Sequence, residues 1–296
     1  LQHIGKVLIN VYDRLEELAE SGNEIPGLST GLHDLDKKIN GLNKSDLLLI
    51  AARPGMGKTS MALNVALSVA KSTNKTVAFF SLEMSREQLV QRLLCSTALI
   101  DSQKLRTGRI TSQEEWRNLA AAAGHLINAP LYIDDTPGIS VSEVRSKARR
   151  LKAERGLDII MIDYLQLMRG NSSRASENRQ QEISEISRSL KSLARELNVP
   201  VIALSQLSRS VESRQDHRPM LSDLRESGSL EQDADMVGFL YREAYYNKEM
   251  QDDDEKNNAT EVILAKNRNG PVGTIEMYFA GQFTLFYELT NQEEPE

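Results

Sequence analysis

The sequence predicts an α/β fold with a mostly parallel sheet that is covered by helices on both faces. Several short apolar runs lack the alternation of a strand with one face in water: DLLLIAA, TVAFFSL, DIIMID and VPVIALS. Helical patterns of about 10 to 18 residues separate these runs. Strands that are apolar on both faces and joined through helices are typical of parallel sheets buried on both sides.

Composition limits the class of protein but leaves its partner open. The chain has 296 residues, 40% apolar and 26% charged, enough for one large α/β domain or two small ones. The net charge of −6 does not indicate a nucleic-acid partner, although a narrow pore needs only local basic residues. The single cysteine, Cys95, excludes an internal disulfide and favours a reducing compartment, so we expect a cytoplasmic protein.

The ends and apolar segments carry no membrane signal. No apolar run is long enough to span a membrane, and the first residues lack the layout of a signal peptide. We therefore expect no membrane partner. The sequence starts at Leu1 rather than at Met, so we expect it to be part of a longer protein.

The first element is an amphipathic helix over residues 1–20. Its apolar residues recur at spacings of three and four: Ile4, Val7, Leu8, Val11, Tyr12, Leu15 and Leu18. The segment SGNEIPGLSTG then breaks the pattern, so we assign residues 1–27 to a helix with a linker and residues 28–296 to the main domain. Periodicity alone favours packing of the apolar stripe on the chain's own domain over docking on a neighbouring subunit.

The main domain continues as strands that alternate with helices. Two of the helices begin with capping boxes, formed by Ser85 with Gln88 and by Ser140 with Glu143. The helix before VPVIALS has one apolar face, made of Ile183, Ile186, Leu190, Leu193 and Leu197. This succession of elements supports the parallel α/β prediction.

The pattern changes after residue 260. The apolar segments EVILAK and VGTIEMYF flank an Asn-Gly pair, which predicts a C-terminal β-hairpin, and FTLFYEL predicts a last strand. Residues 247–258 are polar and acidic, which indicates a solvated mobile loop.

The segment AARPGMGKTS carries a phosphate-binding pattern between a predicted strand and a predicted helix. Ala52 replaces the first Gly of the pattern, whereas Gly57, Lys58 and Thr59 hold their places. Backbone N–H groups at the start of the helix would point at the β-phosphate, Lys58 would neutralise phosphate oxygens, and the Thr59 hydroxyl would bind Mg²⁺. The predicted nucleotide site comprises Arg53, Pro54, Gly55, Met56, Gly57, Lys58, Thr59, Ser60 and Asp163.

Polar residues end three of the predicted strands. Asp163 ends DIIMID, where it would hold Mg²⁺ directly or through water, with a helix cap as the minor alternative. Glu83 follows a strand, and it either orients the attacking water at the γ-phosphate or lies in the first turn of the next helix. Ser205 and Gln206 end VIALSQ, where the Gln206 amide is either a sensor of the γ-phosphate or an ordinary loop residue.

Seven motifs resemble those of the bacterial DnaB-type replicative DNA helicases and occur in the same order. They are ARPGMGKT, FFSLEMS, IDYLQLM, ENRQQEISEISRSLK, ALSQLSR, DLRESGSLEQDAD and AKNRNGPVGT, and the resemblance covers about residues 1–289. It implies a RecA-like P-loop ATPase core with ATP and Mg²⁺ as ligands. It also implies a homo-hexameric ring around single-stranded DNA that moves 5′ to 3′, with primase and a helicase loader as partners.

The resemblance also implies a role for each matching residue. Lys58 and Thr59 match the phosphate and Mg²⁺ residues, and Asp163 matches the metal-site Asp. Glu83 matches the catalytic glutamate, and Gln206 matches the γ-phosphate sensor. The opening helix resembles a linker helix that docks on the adjacent subunit, which reverses the preference drawn from periodicity.

Lys266 and Arg268 gain a role only through the resemblance. At the tip of a hairpin they are ordinarily solvated turn residues. In the family this position reaches into the neighbour's ATP site, with the Arg as a finger supplied in trans. A planar guanidinium there stabilises charge that develops on the γ-phosphate. The resemblance therefore places both residues in the catalytic machinery of an adjacent subunit.

DNA contact is assigned to loops that would ordinarily be solvated surface. The loop after Asp163 carries Arg169, Arg174 and Arg179. The loop after Gln206 mixes Arg with acidic residues, and by resemblance its RESG segment lines the ring. Backbone N–H groups and one charge would hold phosphates there without reading bases. The implied DNA-binding residues are Arg225, Glu226 and Gly228.

Four functions are compatible with such a nucleotide site. The first is the motor core of a ring helicase. The second is a RecA-like DNA-binding filament that uses ATP to switch affinity, and a duplex-unwinding assay separates it from the first. The third is a small-molecule kinase, which an activated water disfavours. The fourth is a nucleotide-gated scaffold, which an intact set of Lys58, Glu83, Asp163 and Arg268 disfavours.

Overall fold

The computed structural model describes residues 3–21, 25–72, 74–170, 179–250 and 254–288. The strands within these residues are β1 Leu47–Ala52, β2 Val77–Ser81, β3 Leu131–Asp134, β4 Ile159–Asp163, β5 Val201–Gln206, β6 Met236–Tyr241, β7 Ala259–Asn267, β8 Gly273–Ala280 and β9 Leu285–Tyr287. The α-helices within them are α1 Ile4–Ser21, α2 His33–Ile39, α3 Lys58–Ser72, α4 Arg86–Ala98, α5 Ser102–Thr107, α6 Gln113–Leu126, α7 Val141–Arg155, α8 Arg179–Leu197, α9 Gly228–Asp233 and α10 Asp254–Asn258.

All these strands join one sheet in the order β3-β2-β4-β5-β1-β6-β7-β8-β9. The pairs from β3 to β6 are parallel, and the last three pairs, β6–β7, β7–β8 and β8–β9, are antiparallel. The predicted parallel α/β fold with a C-terminal hairpin is therefore confirmed. We name the end of the sheet where the parallel strands terminate the carboxyl edge, and the opposite end the amino edge.

Helices cover both faces of the sheet, as predicted. Along β1, Leu48 and Ile50 belong to the core under α3 and α4, whereas Leu47 and Leu49 belong to the core under α7 and α8. The five apolar residues predicted for one face of α8 are all buried. Because each parallel strand is buried on both sides, its sequence is continuously apolar rather than alternating.

Two strands, β3 and β6, were not predicted, and neither were five short or locally packed helices: α2, α5, α6, α9 and α10. β3 is a short edge strand with partly exposed residues, so it lacks the apolar run that marks the central strands. β6 is fully buried between β1 and β7, but only the six-residue helix α9 precedes it, which is too short to give a helical period. The helices α5 and α6 form a small core of their own with α4, centred on Ile100 and Leu119.

The N-terminal helix forms as predicted, but its apolar stripe does not pack on its own domain. Six of the seven stripe residues have between 41% and 70% of their surface exposed: Ile4, Val7, Leu8, Val11, Tyr12 and Leu15. Packing on the chain's own domain, which periodicity favoured, is therefore wrong for this structure. The linker residues 22–24 lie outside the described part of the chain, and the domain boundary stays a prediction.

The acidic stretch 247–258 contains more regular structure than the predicted loop. Lys248–Met250 form a 3₁₀ turn and α10 occupies its end, while residues 251–253 lie outside the described part. The Asn257 carbonyl accepts a hydrogen bond from Arg242, which ties α10 to the end of β6. Within the described residues, no helix has the length and apolar character needed to cross a membrane.

Candidate active site

The phosphate-binding segment forms the turn between β1 and α3, and two of its glycines are required by geometry. Gly55 and Gly57 have φ angles of 80° and 92°, a region that other residues rarely adopt. A Cβ on Gly57 would lie 2.9 Å from the Phe286 ring, and a Cβ on Gly55 would lie 3.0 Å from the Tyr245 ring. The turn is therefore held against the C-terminal strands and the chain after β6.

The turn opens into a cleft of about 590 Å³ at the carboxyl edge. The cleft is lined by Lys58, Thr59 and Ser60 from the start of α3, and by Glu83 and Gln206 from the ends of two strands. The sheet therefore brings together the residues that were predicted to surround a bound nucleotide.

Lys58 lines the cleft and is partly buried. Burial lowers the pKa of Lys58, and the nearby carboxylates of Asp163 and Glu83 oppose that shift. Its Nζ lies 4.4 Å from the centroid of the Tyr164 ring, which directly follows β4. A poorly hydrated cation at the start of a helix is suited to binding phosphate oxygens.

Thr59 and Asp163 form the predicted metal-binding pair. The Thr59 hydroxyl donates a hydrogen bond of 2.7 Å to Asp163 Oδ2, and the Asp163 side chain has no exposed surface. Its Oδ1 is buried and has no hydrogen-bond partner among the described residues. Burial also raises the pKa of Asp163, with Lys58 and Thr59 acting in the opposite direction. An orphaned carboxylate oxygen beside a hydroxyl fits a hard cation such as Mg²⁺.

No cluster of three or more His, Cys, Asp or Glu that could hold a metal occurs among the described residues. This agrees with Mg²⁺ chemistry, because this ion usually keeps several waters and takes phosphate oxygens in place of a full set of protein ligands. Thr59 and Asp163 are the two protein groups that the sequence predicts for such a site.

Glu83 is exposed in the cleft and does not belong to the following helix. α4 begins at Arg86 with Ser85 as its cap, and the acidic residue of its first turn is Glu87. The alternative that placed Glu83 in the first helical turn is therefore wrong. The Glu83 charge acts on the pKa of both Lys58 and Asp163, so its carboxylate lies near these two side chains.

Gln206 ends β5 at the rim of the same cleft. Its backbone is held by the side chain of Gln166, which accepts from the Gln206 N–H at 3.2 Å and donates to the Gln206 carbonyl at 3.1 Å. None of the hydrogen bonds found among the described residues uses the Gln206 side-chain amide. The amide is therefore available to a ligand in the cleft.

Two residues of the predicted nucleotide site place their side chains elsewhere. The Met56 side chain is buried in the core under α3, and the Arg53 guanidinium is bound to Glu212. Pro54 and Gly55 are exposed at the tip of the turn. In a phosphate cradle, Arg53, Gly55 and Met56 would therefore contribute through their backbone N–H groups, whereas Pro54 has no N–H to donate.

The structure adds Arg92 to the residues that line the cleft. It lies on α4, and burial lowers its pKa while the charges of Asp163 and Glu83 oppose that shift. No ion pair to Arg92 occurs in the described part of the chain. The sequence carries a faint signal of this, because no acidic residue stands three or four positions from Arg92 along the helix.

Phe279 provides an apolar wall for the other side of the cleft. Its ring lines the cleft from β8, stacks on Phe286 with centroids 4.4 Å apart, and lies 5.0 Å from the Arg242 guanidinium. Such a surface suits a planar base. Sequence reasoning did not find it, because the contact depends on how the hairpin folds back over the turn.

Lys266 and Arg268 lie far from this cleft, at the amino edge. Arg268 donates from its backbone N–H to the Asp235 carbonyl and from its guanidinium to the Gln232 carbonyl at 2.5 Å. Lys266 Nζ donates to the Glu231 carbonyl at 2.6 Å. Both side chains therefore rest on the C-terminal end of α9.

The predicted DNA-binding segment is described only in its backbone. Arg225 and Glu226 belong to the 3₁₀ helix Leu221–Ser227, and Gly228 begins α9. Their side chains lie outside the described part, as does the whole of Arg174. The placement of DNA on these residues therefore stays a prediction.

The loop after β4 contributes two described arginines. Arg169 is exposed, and its main chain bridges to Ser140. Arg179 begins α8, pairs with Glu182 and donates to the Gln166 carbonyl. Neither residue lines the cleft.

Comparison with known proteins identifies the family of the chain. The family described as DnaB-like helicase C terminal domain matches residues 27–288. The chain is 58% identical over 288 residues to the replicative DNA helicase DnaB of Geobacillus stearothermophilus and 56% identical over 288 residues to the replicative DNA helicase DnaC of Bacillus subtilis. In each case the match covers 97% of this chain and 62% of the relative, so the chain spans less than two thirds of their length.

Solved structures show the same fold. A structure solved as an isolated ATPase domain superposes with a TM-score of 0.90 at 43% identity and covers 98% of this chain and 99% of that one. A DnaB-like replicative helicase, solved in a study of its interactions with primase, superposes with a TM-score of 0.86 at 43% identity over 98% of this chain and 67% of that one. The RecA-like ATPase fold implied by the sequence motifs is thereby confirmed.

The buried carboxylate of Asp163 is expected to destabilise the ligand-free protein. Its raised pKa means that ionisation is unfavourable in the folded state, so stability is lost as the pH rises through the range between the ordinary pKa and that raised value. At neutral pH, Asp163→Asn should raise the free energy of unfolding by about 1–3 kcal/mol, since it removes the charge and keeps an acceptor for Thr59. Thermal denaturation without ligand measures the change.

The matched control is the exposed Asp34→Asn, which removes a charge from the first turn of α2 and should lower stability by at most about 1 kcal/mol, the opposite sign to Asp163→Asn. Addition of ATP with Mg²⁺ should stabilise the wild type, and Asp163→Asn should lose the part of this effect that depends on Mg²⁺. If Asp163→Asn destabilises the ligand-free protein, the carboxylate is a structural partner of Thr59 and Lys58 rather than a vacant metal ligand.

Proposed function

The chain belongs to the DnaB-like helicase C-terminal domain family, and on that premise we propose that it is the motor domain of a replicative DNA helicase. It hydrolyses ATP between the subunits of a homo-hexameric ring and thereby moves single-stranded DNA and unwinds duplex DNA. The observation that carries this proposal is that the residues predicted to act on one ATP molecule lie at two opposite edges of the sheet. The nucleotide cleft lies at the carboxyl edge, and the candidate finger lies at the amino edge.

ATP is bound by the turn and by the start of α3. The backbone of the turn holds the β-phosphate, and Lys58 binds the β- and γ-phosphate oxygens. Thr59 and Asp163 would hold Mg²⁺, directly or through water, and the bound ion would supply positive charge beside the phosphates. Phe279, which is stacked on Phe286, contributes an apolar boundary to the cleft that the nucleotide enters.

Glu83 is the group that orients and deprotonates the attacking water. Its exposure in the cleft supports this role, and so does the effect of its charge on the pKa of Lys58 and of Asp163. Gln206 donates its free amide to the γ-phosphate and senses its loss. Arg92 supplies a second cation at the same cleft.

Arg268 and Lys266 act on the ATP of a neighbouring subunit. Asp235, which contacts Arg268, also accepts a hydrogen bond from the N–H of Leu47, the first residue of β1. The cradle follows Ala52, the last residue of β1, about 17 Å away along the strand. Arg268 therefore lies too far from its own cleft, and a neighbour's cleft is the site that it fits.

The N-terminal helix docks on a neighbouring copy of this chain. Its apolar stripe is exposed on an isolated subunit, and burial of such side chains stabilises a contact by about 25 cal/mol for each Å² removed from water. The same subunit boundary would carry both the docked helix and the shared ATP site.

Single-stranded DNA is held by the segment that contains Arg225, Glu226 and Gly228. Primase is proposed as a protein partner, because a relative of known structure was solved in a study of its interactions with primase. A helicase loader is proposed on the resemblance in motifs alone. The single cysteine supports a cytoplasmic location.

Glu83→Gln should separate ATP binding from hydrolysis. Removal of the general base is expected to lower kcat by about 10²–10⁴-fold, with little change in KM, because the amide still fills the same space. The control is Glu87→Gln, a fully exposed glutamate four residues away on α4. Phosphate release in the presence of single-stranded DNA measures both, and equal rates for the two variants would remove Glu83 from the mechanism.

The shared site predicts complementation between two inactive proteins. Arg268→Ala and Lys58→Ala should each lose nearly all ATP hydrolysis, by analogy with the roughly 10³–10⁵-fold effect of the arginine finger in GTPases. Mixing them should restore activity, because some boundaries then combine an intact cradle with an intact finger. Hydrolysis is followed across mixing ratios after subunit exchange.

A control mixture of Lys58→Ala with Glu83→Gln should stay inactive, since every cradle in it is defective. If Arg268→Ala alone keeps full hydrolysis stimulated by DNA, the finger assignment is wrong.

Strand displacement distinguishes a helicase from a RecA-like filament with the same ATP site. A forked duplex with a 5′ single-stranded tail should be unwound by the wild type in the presence of ATP, and Lys58→Ala should not unwind it. A filament would bind the tail and hydrolyse ATP without displacing the complementary strand. Gel separation of the displaced strand measures the outcome.

A further inference from the structure

Residues 205–212, which we name the sensor segment, run from the end of β5 into the 3₁₀ helix Arg209–Ser213. The segment contains Gln206, and it is held from two sides by side chains that start at the nucleotide site. One of these is Gln166 and the other is Arg53. The nucleotide chemistry described above requires neither contact.

Gln166 takes the place of a missing strand partner. Regular pairing between β4 and β5 ends at Ile162 with Ala203, so the last residues of β5 have no strand on that side. The Gln166 amide donates to Ser205 Oγ at 2.8 Å and to the Gln206 carbonyl at 3.1 Å, and it accepts from the Gln206 N–H. It thus fixes the sensor segment to the chain three residues after the metal-site Asp163.

Arg53 holds the same segment from the phosphate-binding turn. Its guanidinium is buried, donates to the Leu207 carbonyl at 2.8 Å and forms two hydrogen bonds of 3.0 Å and 2.6 Å with Glu212 Oε1. The Leu207 N–H donates in turn to the carbonyl of Ala52. Three side-chain hydrogen bonds and one backbone hydrogen bond therefore tie the turn to residues 207–212.

The far end of the sensor segment is joined to Asp223. The Ser208 N–H donates to the Asp223 carbonyl, and Asp223 is almost fully buried. Its carboxylate accepts from two guanidinium nitrogens of Arg214, at 2.7 Å and 2.5 Å, and from the Met220 N–H at 2.7 Å. Asp223 lies two residues before Arg225, so hydrogen bonds connect the nucleotide turn to the start of the proposed DNA-binding segment.

We propose that Gln166 and the Arg53–Glu212 pair are positioning residues that couple nucleotide binding to the DNA grip of residues 225–228. The inference rests on the proposed function, because that function supplies the DNA contact. When Gln206 binds a γ-phosphate, the sensor segment shifts. The contacts of Gln166 and of the Arg53–Glu212 pair then make the turn, the segment and Asp223 move together. Arg53 thus acts through Glu212 rather than as a ligand of the nucleotide.

Coupling is measured as the factor by which a nucleotide changes DNA affinity. The full chain is titrated with a fluorescein-labelled oligo-dT by anisotropy, with and without saturating AMP-PNP and Mg²⁺, at one fixed salt concentration. The reciprocal experiment titrates AMP-PNP with and without the oligonucleotide. Because coupling is reciprocal, both experiments must return the same factor for one protein.

Glu212→Gln and Gln166→Leu are the test variants, and Glu276→Gln is the control. The wild type and the control, an exposed glutamate on β8, should show a coupling factor in the usual range of about 5–150. The coupling factor of each test variant should fall towards one, and Glu212→Gln should still bind AMP-PNP alone with about the wild-type affinity. Loss of the Glu212 charge can raise DNA affinity by itself, but it does so with and without nucleotide and cancels in the factor.

The experiment distinguishes failure of this inference from failure of the proposed function. If both variants keep the wild-type factor, Gln166 and Glu212 do not carry the coupling and this inference is overturned. If the wild type itself does not bind the oligonucleotide, the proposed function fails. Glu212 is partly exposed, so Glu212→Gln tests the inference even where Gln166→Leu folds poorly.

Discussion

The parallel direction of β1, β2, β4 and β5 is the constraint on which the rest of this structure depends. Parallel strands terminate at one edge of their sheet, so residues far apart in sequence meet there whenever they end such strands. Thr59 follows β1 by seven residues and Asp163 ends β4, and a hydrogen bond of 2.7 Å joins them across a separation of 104 residues. Reversing any one of these strands would move its terminal residue to the opposite edge, and the site would no longer form.

The sequence predicted those parts of the site that depend only on where a strand ends or a helix begins. Asp163, Glu83 and Gln206 were found because an apolar run that stops at a polar residue marks the end of a buried strand. The turn was found because Gly57, Lys58 and Thr59 must occupy fixed positions before a helix. These inferences need no knowledge of side-chain direction.

The remaining features depend on side-chain direction and on contacts between distant elements. Nothing local shows that the Arg53 guanidinium turns towards Glu212, or that the Gln166 amide replaces a strand partner. β6 was missed for a related reason, since α9 is too short to show a helical period before it. The resemblance in motifs supplied the roles of Lys266 and Arg268, which the turn pattern alone would have left in solvent.

Because the apolar stripe of α1 is exposed on an isolated subunit, formation of this helix and association of subunits are linked. An isolated 18-residue helix of mixed sequence has little stability in water, because nucleation is costly and most helix stability in proteins comes from packing of the apolar face. On an isolated subunit the apolar side chains of α1 gain nothing from being helical. In the proposed ring, helix formation and subunit association become a single equilibrium, so the helix content of the N-terminal segment becomes a function of protein concentration.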